Sequence, residues 1–253
     1  MISPVLDAGA GERFDHEADV VVVGSGIAGC SAAVNCADLG LSVAIVEKSR
    51  EGGGTSAKAA GGMMIPNSRQ MVEAGLEDPR EDFVRFLARI GRPLLYRPDA
   101  ERFGLPDWEH RLIEVYYDNA AAALARLEEV GALRTGHQPD WPSYNELPED
   151  RGRFGRVIFN VDDAGELTNG RGAIDRLLAH ARAAGVSVLG ERRVDGVFRD
   201  GSGAIVGVRA GDTRVRARRA VVFATGVFAH GERWAREYLG GMYVGGCAAR
   251  TSA

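Results

Sequence analysis

Cysteine is scarce in this chain. Cys30, Cys36 and Cys247 are the only three, an odd set without metal-ligand spacing, and the first two fall in one predicted helix. That rules out a disulfide framework and fits reduced thiols in a cytoplasm. A thiol near a helix N-terminus can have a lowered pKa, but Cys30 reads better as a small core residue. Histidine is equally sparse: His16, His110, His137, His180 and His230 are scattered, none sits in a metal motif with a cysteine or acid, and no metal site is expected. No apolar run reaches the ~20 residues that a membrane helix needs. A large excess of one charge is missing too. With 31 basic and 35 acidic residues the net charge is −4, which argues against a nucleic-acid partner. The alternating Arg214, Arg216, Arg218 and Arg219 read as the solvated face of a strand. Residues 1–17 lack the basic start and apolar core of a signal peptide and read as a flexible tail.

What the chain does have is concentrated between Asp19 and Lys48. Val20 to Val23 form a β-branched run suited to a buried parallel strand, and Gly24-x-Gly26-x-x-Gly29 follows at once. The Ala-rich stretch from Ile27 to Leu39 has helical spacing, Gly40 is placed to end it, and Leu41 to Val46 is a second apolar strand. In this arrangement the first glycine permits a tight turn, the second lets backbone approach a pyrophosphate, and the third lets helix pack on strand. The turn residues Ser25, Ile27 and Ala28 present amides to the same anion at the helix N-terminus. Glu47 ends the second strand, about 20 residues on, where a carboxylate accepts hydrogen bonds from both ribose hydroxyls of an adenosine. Lys48 supplies adjoining backbone. The order strand, glycines, helix, strand, acid is that of a dinucleotide site.

Two further segments indicate which dinucleotide. Gly52 to Asn67 is a run of small residues in which Gly53, Gly54, Thr55, Ser56, Ala60, Gly61 and Gly62 suit backbone pressed against a large flat ligand. A nicotinamide dinucleotide has no need of it. Far downstream, Arg219 to Phe228 reads as a buried strand ending in Ala224-Thr225-Gly226. Before it come three candidate strands, Arg192 to Phe198, Ala204 to Ala210 and Thr213 to Ala217, with Asp200-Gly201 and Gly211-Asp212 in the turns, a β-meander. Between the two halves, Asp82 to Ile90 and Trp108 to Val130 carry helical spacing among loops rich in Pro, Gly and aromatics. The expected fold is α/β: a Rossmann-like FAD-binding domain of the two-dinucleotide-binding type, with a parallel sheet, a β-meander and a helical insertion. Its expected limits are 18–67 and 168–253, with the insertion at 68–167.

These motifs together resemble the fumarate reductase and succinate dehydrogenase flavoprotein superfamily, the group that includes the 3-ketosteroid dehydrogenases. The stretch 52–64 resembles the segment lying along the flavin in soluble fumarate reductases, and Ile65-Pro66-Asn67 resembles its continuation in ketosteroid-dehydrogenase-like members. Asn169-Gly170-Arg171-Gly172 and the helix Ala173 to Ala184 match the segment before the meander. The resemblance runs from about residue 18 to the C-terminus. It implies an FAD-dependent oxidoreductase that moves hydride to or from flavin at a C–C bond beside a carbonyl or carboxylate, with a ketosteroid-like or fumarate-like small molecule as substrate. It assigns Val194 to backbone contact with adenine and Ala224, Thr225 and Gly226 to close passage by the cofactor. Such an insertion walls one side of the active site, which makes Tyr116, Tyr117, Trp141 and Tyr144 candidates for substrate contact, although aromatics at helical spacing are usually core. No residue is assigned a catalytic role.

Three departures from the family pattern stand out. Gly226-Val227-Phe228 replaces a common Gly-Gly-Phe, and a β-branched valine disfavours positive φ. No histidine occurs between Glu47 and Gly62, so FAD is expected to bind noncovalently. Relatives continue past a segment like Tyr243 to Thr251 into a capping domain and then return to complete the FAD fold. The chain therefore reads as an N-terminal portion, and two alternatives accompany the enzyme reading: a truncated FAD-binding module or a split-enzyme subunit whose second chain supplies the capping half. A compact flavoprotein-like fold of the thiazole synthase type is a third, which the long insertion and the Ala-Thr-Gly strand oppose.

Overall fold

A computed structural model of the protein describes residues 5–9, 11–138, 147–151, 155–227 and 232–239. In chain order its elements are β1 (Val5–Asp7), β2 (His16–Val23), α1 (Ile27–Asp38), β3 (Val43–Val46), β4 (Gly62–Met64), α2 (Arg69–Glu73), α3 (Arg80–Gly91), α4 (Asp107–Glu129), β5 (Thr135–His137) and β6 (Val157–Asn160). There follow α5 (Gly170–Ala183), β7 (Ser187–Leu189), β8 (Gly196–Arg199), β9 (Ile205–Ala210), β10 (Thr213–Phe223) and α6 (Glu232–Leu239). The chain divides into two compact units, residues 1–60 with 169–253, and residues 61–168. The sequence places the first boundary after residue 67. It comes earlier because β4 pairs antiparallel with β6, inside the second unit. Trp141, Tyr144, Phe228, His230 and the segment 243–251 with Cys247 lie outside the described residues.

The first unit is built on a seven-stranded sheet in the order β1-β8-β9-β10-β2-β3-β7. β2, β3, β7 and β10 run parallel, and β8, β9 and β10 form the antiparallel meander. Val20 to Val23 and Val43 to Val46 are buried on both faces of the sheet, which is why these strands read as unbroken β-branched runs rather than as alternation. α1 packs on this sheet and on α5, burying Cys30, Ala33 and Val34 together with Ile174, Leu177 and Ala181 of α5. Leu39 ends α1, and Gly40 turns left-handed at φ +78°.

Three expectations change. The leader is not a loose tail: Val5–Asp7 pairs in parallel with β8, and Phe14 packs edge-on against Phe198 at 5.2 Å. Leu6 and Phe14, both half-buried, give it the apolar anchor that its acidic composition hides. The third meander strand and the Ala-Thr-Gly strand are one element, β10, which crosses a register shift between Ala217 and Ala220 and keeps β2 as its neighbour on both sides of it. Arg192–Asp195 is loop rather than strand, because the Arg192 amide donates to Glu47 O at 2.8 Å instead of entering a ladder. The arginines of β10 are exposed and paired with acids of the leader and of β2: Arg214 with Glu12 at 2.6 Å and Arg218 with Asp19 at 3.1 Å.

The second unit packs α3 on α4 beside the antiparallel sheet β4-β6-β5. Its core holds Phe83, Phe86 and Met71 and, unusually, a fully buried arginine. Arg156 donates from Nε and Nη2 to the two carboxylate oxygens of Asp78 and from Nη1 to Asp150, each at 2.6 Å. Its guanidinium lies 4.8 Å from the centre of the Phe86 ring. Tyr117 donates to Asp78 O at 2.7 Å, and its ring is 5.5 Å from that of Phe83. Tyr116 stacks on Phe83 and donates to Met64 O. Among the described residues, no helix is long and apolar enough to cross a membrane.

Candidate functional site

A cavity of about 420 Å³ opens in the first unit where β2, β3 and β10 end, at the N-terminus of α1. This is where a parallel sheet with a reversal in strand order presents a crevice. The three glycines that lead into it differ in what the protein demands of them. Gly24 has φ +100°, and a Cβ there would lie 2.5 Å from Ala224 O. At Gly29 a Cβ would meet Gly24 O at 2.0 Å. Gly26 is extended, at φ −64° and ψ 179°, and a Cβ there would find nothing closer than Ser56 Oγ at 3.5 Å. Packing thus requires the first and third glycines, whereas at the second a Cβ would make only ordinary van der Waals contact on the cavity wall.

α1 has no side-chain cap and no acid in its first turn. Its first intrahelical bond runs from Cys30 N to Gly26 O, and Ser56 Oγ accepts from Ile27 N at 3.1 Å. The Ala28 and Gly29 amides keep no partner among the described residues, and the positive end of the helix dipole faces the cavity. The Gly-rich loop is held against this terminus. Gly53 N donates to Ser25 Oγ at 2.9 Å, and Gly52 and Gly53 take positive φ, with a Cβ at Gly52 only 2.7 Å from Ser25 Oγ.

Glu47 lies at the foot of the cavity, buried, with every acceptor position filled. Oε2 receives Ser25 N at 2.9 Å and Ser25 Oγ at 2.6 Å, and Oε1 receives Ser49 N at 2.8 Å and Ser49 Oγ at 2.9 Å. Burial pushes its pKa up, but these four hydrogen bonds outweigh burial and hold the carboxyl below its ordinary value. Cys30, beside it, donates from Sγ to Ser25 O at 3.0 Å. Its thiol is pushed up to about 12, first by burial and then by the Glu47 charge.

The structure brings most of the sequence-assigned residues to one wall. Gly24, Ser25, Gly26, Glu47, Lys48, Gly54, Thr55, Ser56, Val194, Ala224, Thr225 and Gly226 line the cavity. Ile27, Ala28 and Gly29 form the helix turn behind it, and Gly53 shapes the loop. Ala60 ends the first stretch of this unit, while Gly61 and Gly62 belong to the second unit. At the end of β10 the left-handed turn falls on Gly226, at φ +78°, which spares Val227 that conformation. Sequence reasoning missed Arg192 and Arg193, which also line the cavity. Their signal was two consecutive cations directly before the residue assigned to adenine.

An α/β unit with a glycine-lined cavity at a helix N-terminus and a buried acid at the next strand end is a dinucleotide-binding protein. The chain belongs to the FAD binding domain family, which matches residues 19–246. It is 30% identical over 252 residues to the 4-oxocyclohexanecarboxylate 2-dehydrogenase of Sinomonas cyclohexanicum, covering 83% of this chain and 43% of that protein. To the urocanate reductase of Eggerthella lenta it is 29% identical over 227 residues, covering 87% and 33%. Among solved structures, the 3-ketosteroid-Δ4-(5α)-dehydrogenase of Rhodococcus jostii RHA1 in complex with 4-androstene-3,17-dione superposes with a TM-score of 0.72 at 26% identity, covering 92% of this chain and 50% of that one. The chain therefore spans half or less of each of these relatives. The family's cofactor is FAD, and its relatives include dehydrogenases and reductases of C–C bonds.

Proposed function

We propose that this chain is the FAD-binding portion of an oxidoreductase that forms or reduces a C–C double bond beside a carbonyl or carboxylate of a ketosteroid-like or fumarate-like small molecule. The observation that carries the reading is the glycine at position 26, where a Cβ would meet nothing closer than 3.5 Å, on the cavity wall in front of the unpartnered Ala28 and Gly29 amides. Packing places no demand for glycine there, and a pyrophosphate does. The residues present fit the cofactor. The amides of the α1 turn hold the pyrophosphate, and Gly54 to Ser56 with Ala224 to Gly226 offer backbone to its length. Val194 presents backbone to adenine. Glu47 receives the ribose by giving up the Ser49 hydroxyl for a ribose hydroxyl, at no net loss of acceptor bonds. The assignment of Ala60, Gly61 and Gly62 to the flavin side rests on the sequence resemblance. Bound noncovalently, the flavin supplies the hydride chemistry, and the protein orients substrate and excludes water.

The substrate side requires a complementary half, in the same polypeptide or in a second chain. Support comes from the extent of the relatives and from β10. β9 pairs with β10 only over Thr213 to Arg216. From Ala217 to Phe223 the strand has β2 on one side and no strand on the other among the described residues, and Phe223 is exposed. Such an edge within a sheet is a docking line for another strand. A cytoplasmic location is proposed on the free thiols of Cys30 and Cys36.

The test is an absorbance spectrum of the purified 253-residue protein after incubation with FAD and desalting. Retained flavin bands are the expected result and lead to trials with enones and unsaturated carboxylates. A colourless protein that stays colourless when the capping half is co-expressed overturns the reading.

A further inference from the structure

The loop before Val194 is built around a strain that the FAD reading leaves unexplained. Glu191, a non-glycine residue, sits at φ +56°, a conformation kept only where the surroundings impose it. Its amide donates to Ser49 O at 3.2 Å, that of Arg192 to Glu47 O at 2.8 Å, and that of Asp195 to Arg209 O at 2.9 Å. The turn is thus tied to β3 on one side and to the meander on the other, and the two arginines between the ties line the cavity. They are not equivalent. Arg192 is committed to protein, from Nε to Thr213 Oγ1 at 3.0 Å and from Nη1 to Glu191 O at 3.2 Å. Arg193 is exposed and has no hydrogen bond or ion pair among the described residues. Glu47, the acid that lines the cavity, already has four donors and forms no ion pair with it.

We propose that Arg193 is a binding residue for the adenine ring, its guanidinium stacking on the base presented to Val194. This rests on the FAD reading and deepens it. A guanidinium suits the task because it is planar, weakly hydrated and prefers aromatic faces, whereas an ammonium is a compact, strongly hydrated charge. The anionic part of the ligand already has its own donors at the α1 terminus, which leaves the uncharged base as the partner for the free cation.

The probes are ADP, inorganic pyrophosphate and FMN, titrated against the 253-residue protein and its Arg193→Ala and Arg193→Lys variants, with circular dichroism to confirm folding. For Arg193→Ala the expected result is ADP affinity reduced about tenfold, with pyrophosphate and FMN affinity unchanged. Arg193→Lys, which keeps the charge and loses the plane, recovers only part of the loss. Equal loss of ADP and pyrophosphate, or full recovery with lysine, identifies Arg193 as a phosphate ligand and overturns the proposal, as does unchanged ADP affinity. If the unaltered protein binds neither ADP nor FAD, alone or with the capping half co-expressed, the FAD reading itself fails and this assignment falls with it.

Discussion

The Ser25 hydroxyl donates to Glu47 Oε2 across 2.6 Å while it accepts the Gly53 amide across 2.9 Å. One fully buried hydroxyl therefore ties the first turn of the dinucleotide motif to the strand-end acid and to the Gly-rich loop. Ser25→Ala leaves a carboxylate acceptor and a buried amide each short of one partner, and orphaned buried groups cost ~1–3 kcal/mol. We expect a loss of about 2 kcal/mol in urea unfolding and a lower FAD affinity. An unchanged unfolding midpoint would show that the loop holds its place without this bridge.

Gly26 and Gly29 separate ligand binding from folding. Gly29→Ala drives a methyl into Gly24 O, 2.0 Å away, which forces strand and helix apart in a close-packed core, and we expect little soluble protein. Gly26→Ala meets no such obstacle, its nearest neighbour being 3.5 Å away. It is expected to fold with a melting temperature close to that of the parent and to lose at least tenfold in FAD affinity, because the methyl occupies the space that a phosphate would fill. Parental FAD affinity in the folded Gly26→Ala protein would remove the pyrophosphate from this turn.

What could be read from the sequence follows from how local its causes are. The unit from Val20 to Val46 was legible because buried parallel strands, glycines and a helix stop all act within a few residues. The helices at Asp82 and Trp108 were legible by their spacing. Val5–Asp7, Gly62–Met64 and Thr135–His137 are three-residue strands whose existence depends on partners far along the chain, so no periodicity announces them. The cavity wall at Arg192 and Arg193 depends on a left-handed Glu191 that propensity disfavours. The filling of Glu47 by Ser25 and Ser49 is a tertiary fact: two serines bracket the acid in space, and only one of them is near it in sequence.

Arg156 is expected to govern the stability of the second unit. Replacing it with leucine leaves Asp78 and Asp150 buried without their cation, and breaking a buried pair in this way costs ~3–5 kcal/mol. Asp150→Asn should cost much less, since the amide oxygen still accepts from Nη1 and the two-point contact of Arg156 with Asp78 is kept. Thermal unfolding of both variants measures the difference. Equal losses would contradict the view that the two carboxylates depend on one guanidinium.

Acid should weaken the first unit through Glu47. Its carboxyl titrates below its ordinary value near 4.5 in the folded protein. The stability it contributes is therefore complete above that value and is lost as pH falls through the lower, folded-state pKa. Urea midpoints measured from pH 7 to pH 3 should drop at the acid end for the parent. Glu47→Gln, less stable at neutral pH, should show a flatter limb. An identical acid limb in the two proteins would place the acid sensitivity elsewhere.

Cys30 tests which of two opposing influences dominates at the start of α1. A helix N-terminus favours a thiolate, but burial and the Glu47 charge oppose it and push the thiol up to about 12. At pH 8 the side chain is then a protonated, inaccessible donor to Ser25 O, and iodoacetamide should leave it unmodified in the native protein while labelling it in urea. Peptide mass mapping assigns the label. Native labelling of Cys30 at the rate of an exposed thiol would mean that the α1 terminus opens, and with it the hydrogen-bonded frame of Ser25, Glu47 and Gly53 on which the cavity depends.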